Sequence, residues 1–396
     1  MSVASALDRK VVTTGTHRVR TFDETWAAVS PRPRGMGITR VANVTGLDDI
    51  GIPVAMVTRP NARTLAVSQG KGLTLQAARL SGVMEAAELF HAEEATLPVC
   101  RETPRTIARR GDAVDVDRLP LQHSAPVAEE RPLDWVEGDE LLSGGRRWLP
   151  HECVALGRSR PEQRVFASTS SGLASGNCRA EALSHAICEA VERHSMAIWH
   201  SLPDLLRTAT GIDLASVEDE ACRTLLDQCA QAGVAVGIWN ITGQIEIPAF
   251  ACLIVQRSVH AGRLLQPAGG YGCHPSRAVA LARAITEAAQ SRLTHIAGAR
   301  DDMVETQYTD GTSIKFIQHV LDFVESAGTQ RFDSVSSGDA SEISADVAWE
   351  LERLRHAGTT EVVTVDLTRD DLGIPVVRVV IPGLRLPGFR SAMDLT

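Results

Sequence analysis

Two pairs of glutamates with the same spacing are the residues of this sequence best suited to chemistry. Glu85 and Glu88 form the first pair, and Glu189 and Glu192 form the second, 104 positions later. On a helix, residues at i and i+3 lie on the same face, so each pair presents two carboxylates in one direction. Mg²⁺ prefers oxygen ligands, commonly one or two carboxylates together with phosphates and water. The spacing therefore predicts a magnesium–phosphate site.

Glu181 extends the second pair. If residues 179–195 form a helix, Glu181, Glu189 and Glu192 lie within about 80° of one another around its axis. The apolar residues of the segment then fall on the opposite side, where they can pack in a core. Few cationic residues lie near these glutamates in sequence, so we expect a divalent cation to balance them. For a single helix, a solvated acidic face would be the simpler interpretation.

Glycines precede the glutamates in three similar units. Gly-Lys-Gly at 70–72 precedes the first pair, and SGLASGN at 171–177 precedes the second. A third unit, 270–292, carries Glu287 and Gln290 in the equivalent places after a two-residue gap. Backbone N–H groups at a helix N-terminus can bind phosphate oxygens, and the helix dipole favours the anion. Solvation alone does not explain this recurrence, so we predict one composite site.

Basic residues inside the same units, Lys71, Arg193 and Arg292, are candidates to neutralise phosphate charge. The familiar nucleotide motifs are missing, because Gly-Lys-Gly does not match GxxxxGK[ST] and no strand-linked GxGxxG occurs. A serine hydrolase is disfavoured because the sequence has no GxSxG. The eight cysteines include no CxxC pair, so we expect reduced, mostly buried thiols and no zinc site.

The elements that must position these residues alternate between helix and strand. Three segments have a proline near the start followed by apolar and β-branched residues, which predicts buried strands: 50–57, 245–255 and 372–381. A helix over 216–232 precedes the strand-like VAVGIWNI, and ADVAWELERLRHAG precedes EVVTVDL. The predicted class is α/β with mixed sheets.

The domain organisation follows from the repeat. We expect an N-terminal extension over 1–36 and a single domain over 37–396 that contains all three units, because the units must converge. The units span about 50–95, 165–200 and 245–298. The Pro-, Gly- and charge-rich stretch 98–165 and the polar stretch 328–343 are expected to be loops or coverings.

Composition restricts the partners. The chain has 396 residues, is 44% hydrophobic and carries 40 basic against 49 acidic residues, for a formal charge of −9. This balance argues against nucleic acid as a partner. No apolar run approaches the roughly 20 residues that cross a bilayer. We expect a globular protein of the cytoplasm that does not bind membranes.

Three of these segments together resemble the YcaO superfamily: 70–88, 168–194 and 287–292. The resemblance implies a YcaO-like fold and an enzyme that uses ATP and Mg²⁺ to phosphorylate a backbone amide oxygen in a ribosomally made peptide. It assigns magnesium binding to Glu85, Glu88, Glu189 and Glu192. It assigns nucleotide contacts or catalysis to Lys71, Asn177, Glu181, Arg193, Gln290 and Arg292. Ser171, where many relatives have Asn, and Leu89, where Arg is common, depart from the family pattern.

Residues 37–62 are similar to the branch associated with TfuA-type partners, which introduces a backbone thioamide with external sulfide. The C-terminus lacks the proline-rich tail of azoline-forming cyclodehydratases. The expected partners are a precursor peptide and a TfuA-like protein, and a homodimer is possible. An azoline- or amidine-forming cyclodehydratase is the alternative. A catalytically silent scaffold is disfavoured because all five glutamates are present.

Overall fold

The computed structural model describes residues 8–123, 127–157, 164–258, 265–303, 313–326, 328–338 and 340–395. Within them the strands are β1 (Arg40–Asn43), β2 (Val54–Thr58), β3 (Val67–Lys71), β4 (Cys100–Glu102), β5 (Leu133–Glu140), β6 (Arg146–Pro150), β7 (Leu173–Ser175), β8 (Val234–Asn240), β9 (Ala249–Gln256), β10 (Ala268–Cys273), β11 (Val363–Asp366) and β12 (Val376–Val380). The helices are α1 (Phe22–Val29), α2 (Leu75–Glu93), α3 (Pro104–Ala108), α4 (Arg179–Ser201), α5 (Asp204–Thr208), α6 (Glu220–Gln231), α7 (Arg277–Ala297), α8 (Ile314–Glu325) and α9 (Ile343–His356).

The strands form three sheets in which the named pairs are antiparallel. One has the order β1-β2-β3 and another β10-β9-β8, while the third runs β4-β5-β11-β12-β7 with β6 also paired to β5. The predicted mixed α/β class is confirmed. Among the described residues, no helix is both long and apolar enough to cross a membrane.

The three predicted units share one local structure, a strand followed by a long helix. Helices α2, α4 and α7 start at Leu75, Arg179 and Arg277, in each case four positions after the last residue of β3, β7 and β10. At the start of α2, Thr74 caps the helix by accepting a hydrogen bond from Ala77 N at 3.2 Å. Because α2 and α7 begin 202 residues apart, Glu85 and Glu287 occupy the same helical position.

Two glycines show that the predicted two-residue gap in the third unit is wrong. A Cβ added at Gly70 would lie 2.0 Å from Ala78 O, and one at Gly272 would lie 2.1 Å from Ala280 O. In both units the strand glycine faces the helix residue eight positions later, so Gly272 is the equivalent of Gly70. Only glycine allows the strand and helix backbones to touch in this way.

The middle unit is completed by a distant strand. Within the first and third units, β2 pairs with β3 and β9 pairs with β10. In contrast, β7 pairs with β12 from the C-terminal part of the chain, with Ser175 opposite Val376. Strands β2, β9 and β12 are the three predicted proline-initiated strands, and each begins directly after its proline.

The expectation that 98–165 forms loops or coverings is wrong for part of that stretch. It supplies β4, β5 and β6 of the largest sheet, and the side chains of Trp135 and Leu149 are fully buried. Along β5, Asp134 and Glu137 are exposed, whereas Leu133, Trp135, Val136 and Glu140 are buried. Because Trp135 and Val136 are both buried, the strand does not show the simple period of two by which a half-buried strand is recognised in a sequence.

Candidate functional site

The edges of the three unit strands face glutamates of the long helices. Gln69 N on β3 donates to Glu85 Oε2 at 3.3 Å, and Tyr271 N on β10 donates to Glu287 Oε1 at 3.3 Å. Both bonds span 16 residues. The same geometry therefore holds one glutamate in the first unit and one in the third.

Glu88 links the first unit to the second. Its Oε1 accepts hydrogen bonds from Ser175 N at 2.8 Å and Ser175 Oγ at 2.6 Å. Burial raises the pKa of Glu88 to about 8, and the neighbouring carboxylates Glu189 and Glu85 add to the increase. Ser175 opposes it by hydrogen bonding to the carboxylate.

The second glutamate pair lies around Arg193. The guanidinium of Arg193 is 3.6 Å from Glu192 Oε1 and 4.0 Å from Glu189 Oε1. Burial raises the pKa of Glu189 to about 7 and also raises that of Glu192, although Arg193 favours both anions. The i,i+3 spacing thus places both carboxylates around one cation, as predicted for a shared face.

Lys71 joins the first unit to the third through an ion pair with Glu287. Burial opposes ionisation of Glu287, but Lys71 and Arg193 bring its pKa below the usual value. Burial likewise raises the pKa of Glu85, to about 7, against the effect of Lys71. Glu287 therefore lies with Glu85, Glu88, Glu189 and Glu192 in one glutamate cluster. Its position in the third unit, equivalent to Glu85 in the first, is the sequence signal that indicates this.

Two other predicted residues of the third unit have different surroundings. Gln290 Nε2 donates to Gln69 O at 2.9 Å, so Gln290 lies at the edge of β3 beside the glutamates. Arg292 is only 4% exposed, and its Nε lies 2.9 Å from Asp48 Oδ2. It is about 140° around α7 from Glu287. The structure therefore does not bring Arg292 together with the other predicted site residues.

Part of the predicted N-terminal extension covers the start of α4. Glu181 accepts hydrogen bonds from Asn177 N at 2.8 Å and from Val19 N at 2.5 Å. Thr25 Oγ1 donates to Asn177 Oδ1 at 2.8 Å. Residues before position 36 thus contact two of the predicted nucleotide-binding residues.

Three arginines that were not among the predicted site residues also approach the glutamates. Arg18 interacts electrostatically with Glu181 and Glu88, and Arg283 and Arg378 favour the anionic form of Glu189. Arg283 is four residues before Glu287, a spacing that the sequence displays. Arg378 interrupts the apolar strand VVRVV, which is also a readable signal, whereas nothing in the sequence distinguishes Arg18.

His185 lies beside these arginines as an uncharged imidazole. Its Nε2 is 2.5 Å from Arg283 Nη2, and burial together with the charges of Arg283 and Arg18 holds its pKa well below the usual value. Neutral imidazole nitrogen can accept the guanidinium hydrogen bond. His185 therefore helps to orient Arg283 beside the glutamates.

The chemistry of the donors fits a magnesium–phosphate ligand. Glu85, Glu88 and Glu189 are carboxylates whose ionisation is opposed by burial, and a cation would relieve that penalty. In the described residues, no three His, Cys, Asp or Glu side chains form a ready-made metal cage. Mg²⁺ is ordinarily held by one or two carboxylates with phosphate oxygens and water, a ligand set that these glutamates can provide in part.

A family model described as YcaO cyclodehydratase, ATP- and Mg²⁺-binding, matches residues 69–385. An uncharacterised protein in the tfuA 3′ region of Rhizobium leguminosarum bv. trifolii is 36% identical over 374 residues, covering 93% of this chain and 89% of that protein. The family match includes helices α2, α4 and α7 and the completing strand β12.

Two solved structures share the fold. YcaO from Methanopyrus kandleri, bound with AMPPCP and Mg²⁺, has a TM-score of 0.75 at 22% identity and covers 95% of this chain and 94% of its own. A heterocyclase in complex with substrate and cofactor has a TM-score of 0.76 at 21% identity and covers 96% of this chain. This chain spans 55% of that heterocyclase. The repeated strand–helix units, the glutamates that they bring together and the family match over 69–385 establish that this chain belongs to the ATP- and Mg²⁺-binding YcaO family.

Proposed function

We propose that this chain activates a backbone amide of a ribosomally synthesised peptide with ATP, and that sulfur then replaces the amide oxygen to give a thioamide. The observation that carries the proposal is the convergence of glutamates from three units, tied together by Lys71–Glu287 and Glu88–Ser175. The relative in a tfuA 3′ region supports the thioamide product.

Four glutamates would hold magnesium in this proposal: Glu85, Glu88, Glu189 and Glu192. They lie on the helices of the first and second units, and burial raises their pKa values. A cation between them would stabilise the anionic forms and bring the two helices into one site.

The remaining polar residues would contact the nucleotide: Lys71, Asn177, Glu181, Arg193 and Gln290. Of these, Glu181 and Arg193 are proposed to act nearest the transferred group. Arg193 lies between two carboxylates and Lys71 is paired with Glu287, so both cations are already oriented. Preorganised positive charge stabilises a phosphoryl group during transfer. Because Arg292 forms an ion pair with Asp48, we propose that it holds α7 in place and does not contact the nucleotide.

The chemistry explains the need for ATP. An amide oxygen is a poor leaving group, and Mg–ATP supplies the phosphoryl group that makes it a good one. Hydrosulfide then adds to the amide carbon and inorganic phosphate leaves, so that sulfur replaces oxygen and ATP is converted to ADP and phosphate. The role of this chain is to hold the amide against the phosphoryl group and to exclude water.

The sulfur is proposed to come from a TfuA-like partner or from free sulfide. Six of the eight cysteines are buried, and Cys100 and Cys178 are half-buried. Burial raises the pKa of Cys153 and of Cys229 to about 12, and it also raises that of Cys178. A thiol must be a thiolate to act as a nucleophile, so these cysteines are poor sulfur carriers.

An azoline- or amidine-forming cyclodehydratase is the second candidate, favoured by the family description and by the fold shared with a heterocyclase. That reaction keeps the ATP site but uses a nucleophile of the peptide. A catalytically silent scaffold is a weaker candidate, because the five predicted glutamates are all present.

Mass spectrometry of the precursor peptide separates the candidates. After incubation with ATP, Mg²⁺, sulfide and the TfuA-like protein, a thioamide product is heavier by the difference between sulfur and oxygen, and it requires no side-chain nucleophile. A product lighter by one water and formed without sulfide would contradict the thioamide proposal. Omission of ATP is the control for both.

A further inference from the structure

The outer edge of β1 is a free strand edge on the described surface. Val44 N donates to Val54 O, so Val44 and Val54 form a hydrogen-bonded pair. In an antiparallel ladder, hydrogen-bonded and non-hydrogen-bonded pairs alternate along β1 and β2. By that alternation, the N–H and C=O groups of Ala42 point towards β2, and those of Val41 and Asn43 point away from it. Within the described residues, no hydrogen bond reaches the outward backbone groups of Val41 or Asn43.

The outer edges of β8 and β6, in contrast, are covered by other segments of the chain. Ile212 N donates to Ile238 O along β8, and Val114 N donates to Trp148 O along β6. An exposed edge presents unpaired donors and acceptors that template a further strand, so natural proteins normally protect it. The open edge of β1 is therefore a feature that needs an occupant.

A basic cavity adjoins this edge. Its volume is about 430 Å³, and its lining runs from Ser30 to Val41 and includes Arg34 and Arg40 but no acidic residue. Both arginines are exposed, and in the described part of the chain neither forms an ion pair or a side-chain hydrogen bond. Two unpaired guanidinium groups in a chain of net charge −9 make a local site for carboxylates.

We propose that the β1 edge and its cavity bind an extended acidic segment of a peptide, which adds as a fourth strand to the β1-β2-β3 sheet. Backbone hydrogen bonds to Val41 and Asn43 would provide affinity, and glutamate or aspartate side chains would bind Arg34 and Arg40. The added strand would be three strand spacings, roughly 14 Å, from β3.

The position of the edge favours the substrate peptide as the occupant, an identification that rests on the proposed function. Strand β3, on the opposite side of the same sheet, carries Gln69 and Lys71 into the glutamate cluster. A segment held at β1 keeps the rest of the same peptide at high effective concentration near the site. A second copy of this chain is a poorer occupant, because self-pairing would bring the arginines of both copies into one interface.

The test uses fluorescence anisotropy with a fluorescein-labelled peptide of alternating glutamate and valine, and a lysine–valine peptide of the same length. The wild-type chain is expected to bind the acidic peptide and not the basic one. Arg40→Glu and Arg34→Glu should each weaken binding by at least about tenfold, the effect of losing one charged hydrogen bond. Arg109→Glu, the same charge change at an exposed arginine of another surface, is the matched control.

Val41→Pro tests the backbone part of the proposal. Proline removes the outward N–H and leaves the ladder to β2 intact, a position that edge strands tolerate. It should weaken binding by roughly tenfold, whereas Val41→Thr, which keeps the N–H, should bind like the wild type. If Val41→Pro does not fold, the Arg34→Glu and Arg40→Glu variants still test whether the acidic peptide binds at this edge.

Equal binding of the acidic and basic peptides, or no binding by the wild type, would overturn the proposal. Self-association that Val41→Pro abolishes, without acidic-peptide binding, would assign the edge to a second copy and also overturn it. Mg–ATP affinity, measured by calorimetry, should be unchanged in Arg40→Glu. Glu192→Gln should retain peptide binding, so failure of the ATP-site proposal is distinguishable from failure of this one.

Discussion

At the scale of single residues, the glutamates of the site differ in how their charge is balanced. Glu287 is paired with Lys71 and keeps a low pKa, whereas Glu88 is held by an uncharged serine and has a pKa of about 8. The same fold thus contains carboxylates that already have a cation and carboxylates that still need one. The second kind are the better magnesium ligands.

Replacing Glu189 or Glu192 with Gln tests their proposed role. Turnover of ATP should fall on the order of a hundredfold or more, because a ligand of the magnesium that supports phosphoryl transfer is lost. The fold should remain, because Gln fills the same volume without a buried charge. Circular dichroism and ATP consumption on the same samples measure both effects. Glu352→Gln, at an exposed position of α9, is the control, and loss of folding in both site variants would indicate a structural role instead.

The pKa shifts predict a pH dependence of Mg–ATP binding. Glu85 and Glu189 have pKa values of about 7 and Glu88 of about 8, so protons compete with the cation below these values. Affinity should therefore increase as the pH rises from about 6 to 8, with proton release near pH 7. Calorimetry in buffers of different ionisation enthalpy measures the protons released. A flat profile would contradict the assignment of these groups.

The same pKa shifts determine how the stability of the ligand-free protein changes with pH. Each carboxylate has a folded-state pKa above its ordinary value of 4.5, so it binds protons more strongly in the folded state. Its stabilising contribution is present below pH 4.5 and is lost as the pH rises through 7 to 8. Mg–ATP should offset this loss.

At the scale of elements, the site depends on close contact between each strand and its helix. Because Gly272 faces Ala280 O and Ala284 N on α7, the helix can approach β10 closely enough for Tyr271 N to reach Glu287. Gly70 allows the same close approach between β3 and α2. The glycines of the repeat are thus packing residues that determine where the carboxylates lie.

Gly272→Ala should force β10 and α7 apart. We expect a loss of about 1–3 kcal/mol in the free energy of unfolding, as for other overpacked contacts, together with weaker Mg–ATP binding. Gly243→Ala is the matched control, because nothing lies within 4 Å of its added Cβ. Urea denaturation and calorimetry measure the two effects. An unchanged stability of Gly272→Ala would mean that the contact is looser than described.

At the scale of the whole molecule, side chains of different units tie the site together. Lys71 connects the first unit to the third, Glu88 connects the first to the second, and Val19 connects the N-terminal region to the second. Strand β12 completes the middle unit from the other end of the chain. A ligand bound among these residues would therefore contact elements that are distant in sequence.

Mg–ATP should consequently stabilise the entire fold. At a ligand concentration of about one hundred times the dissociation constant, the expected gain is about 2.7 kcal/mol, seen as a higher melting temperature. EDTA should abolish the gain, because the glutamates would then face the phosphates without a cation. An equal gain in EDTA would show that ATP binds without magnesium and would contradict the metal assignment.

Local periodicity in the sequence determined the three strand–helix units and most of the clustered glutamates. The i,i+3 spacing on α2 and α4 fixes which helix face carries the carboxylates, whatever surrounds it. The proline-initiated strands were equally readable, because their apolar runs identify buried strands. The third unit was aligned with a false gap, because several glycines compete for the same match and only contact with the helix distinguishes them.

Only the tertiary structure decided which distant residues meet. That β7 pairs with β12, that Val19 and Arg18 reach Glu181, and that Arg292 is buried against Asp48 depend on contacts between segments with no shared pattern. Sequence spacing reports the geometry of one helix or strand, because backbone periodicity extends only along the element. The charge balance of the site is set partly by residues from distant segments, and the approach of Arg18 to Glu181 and Glu88 follows only from the folded chain.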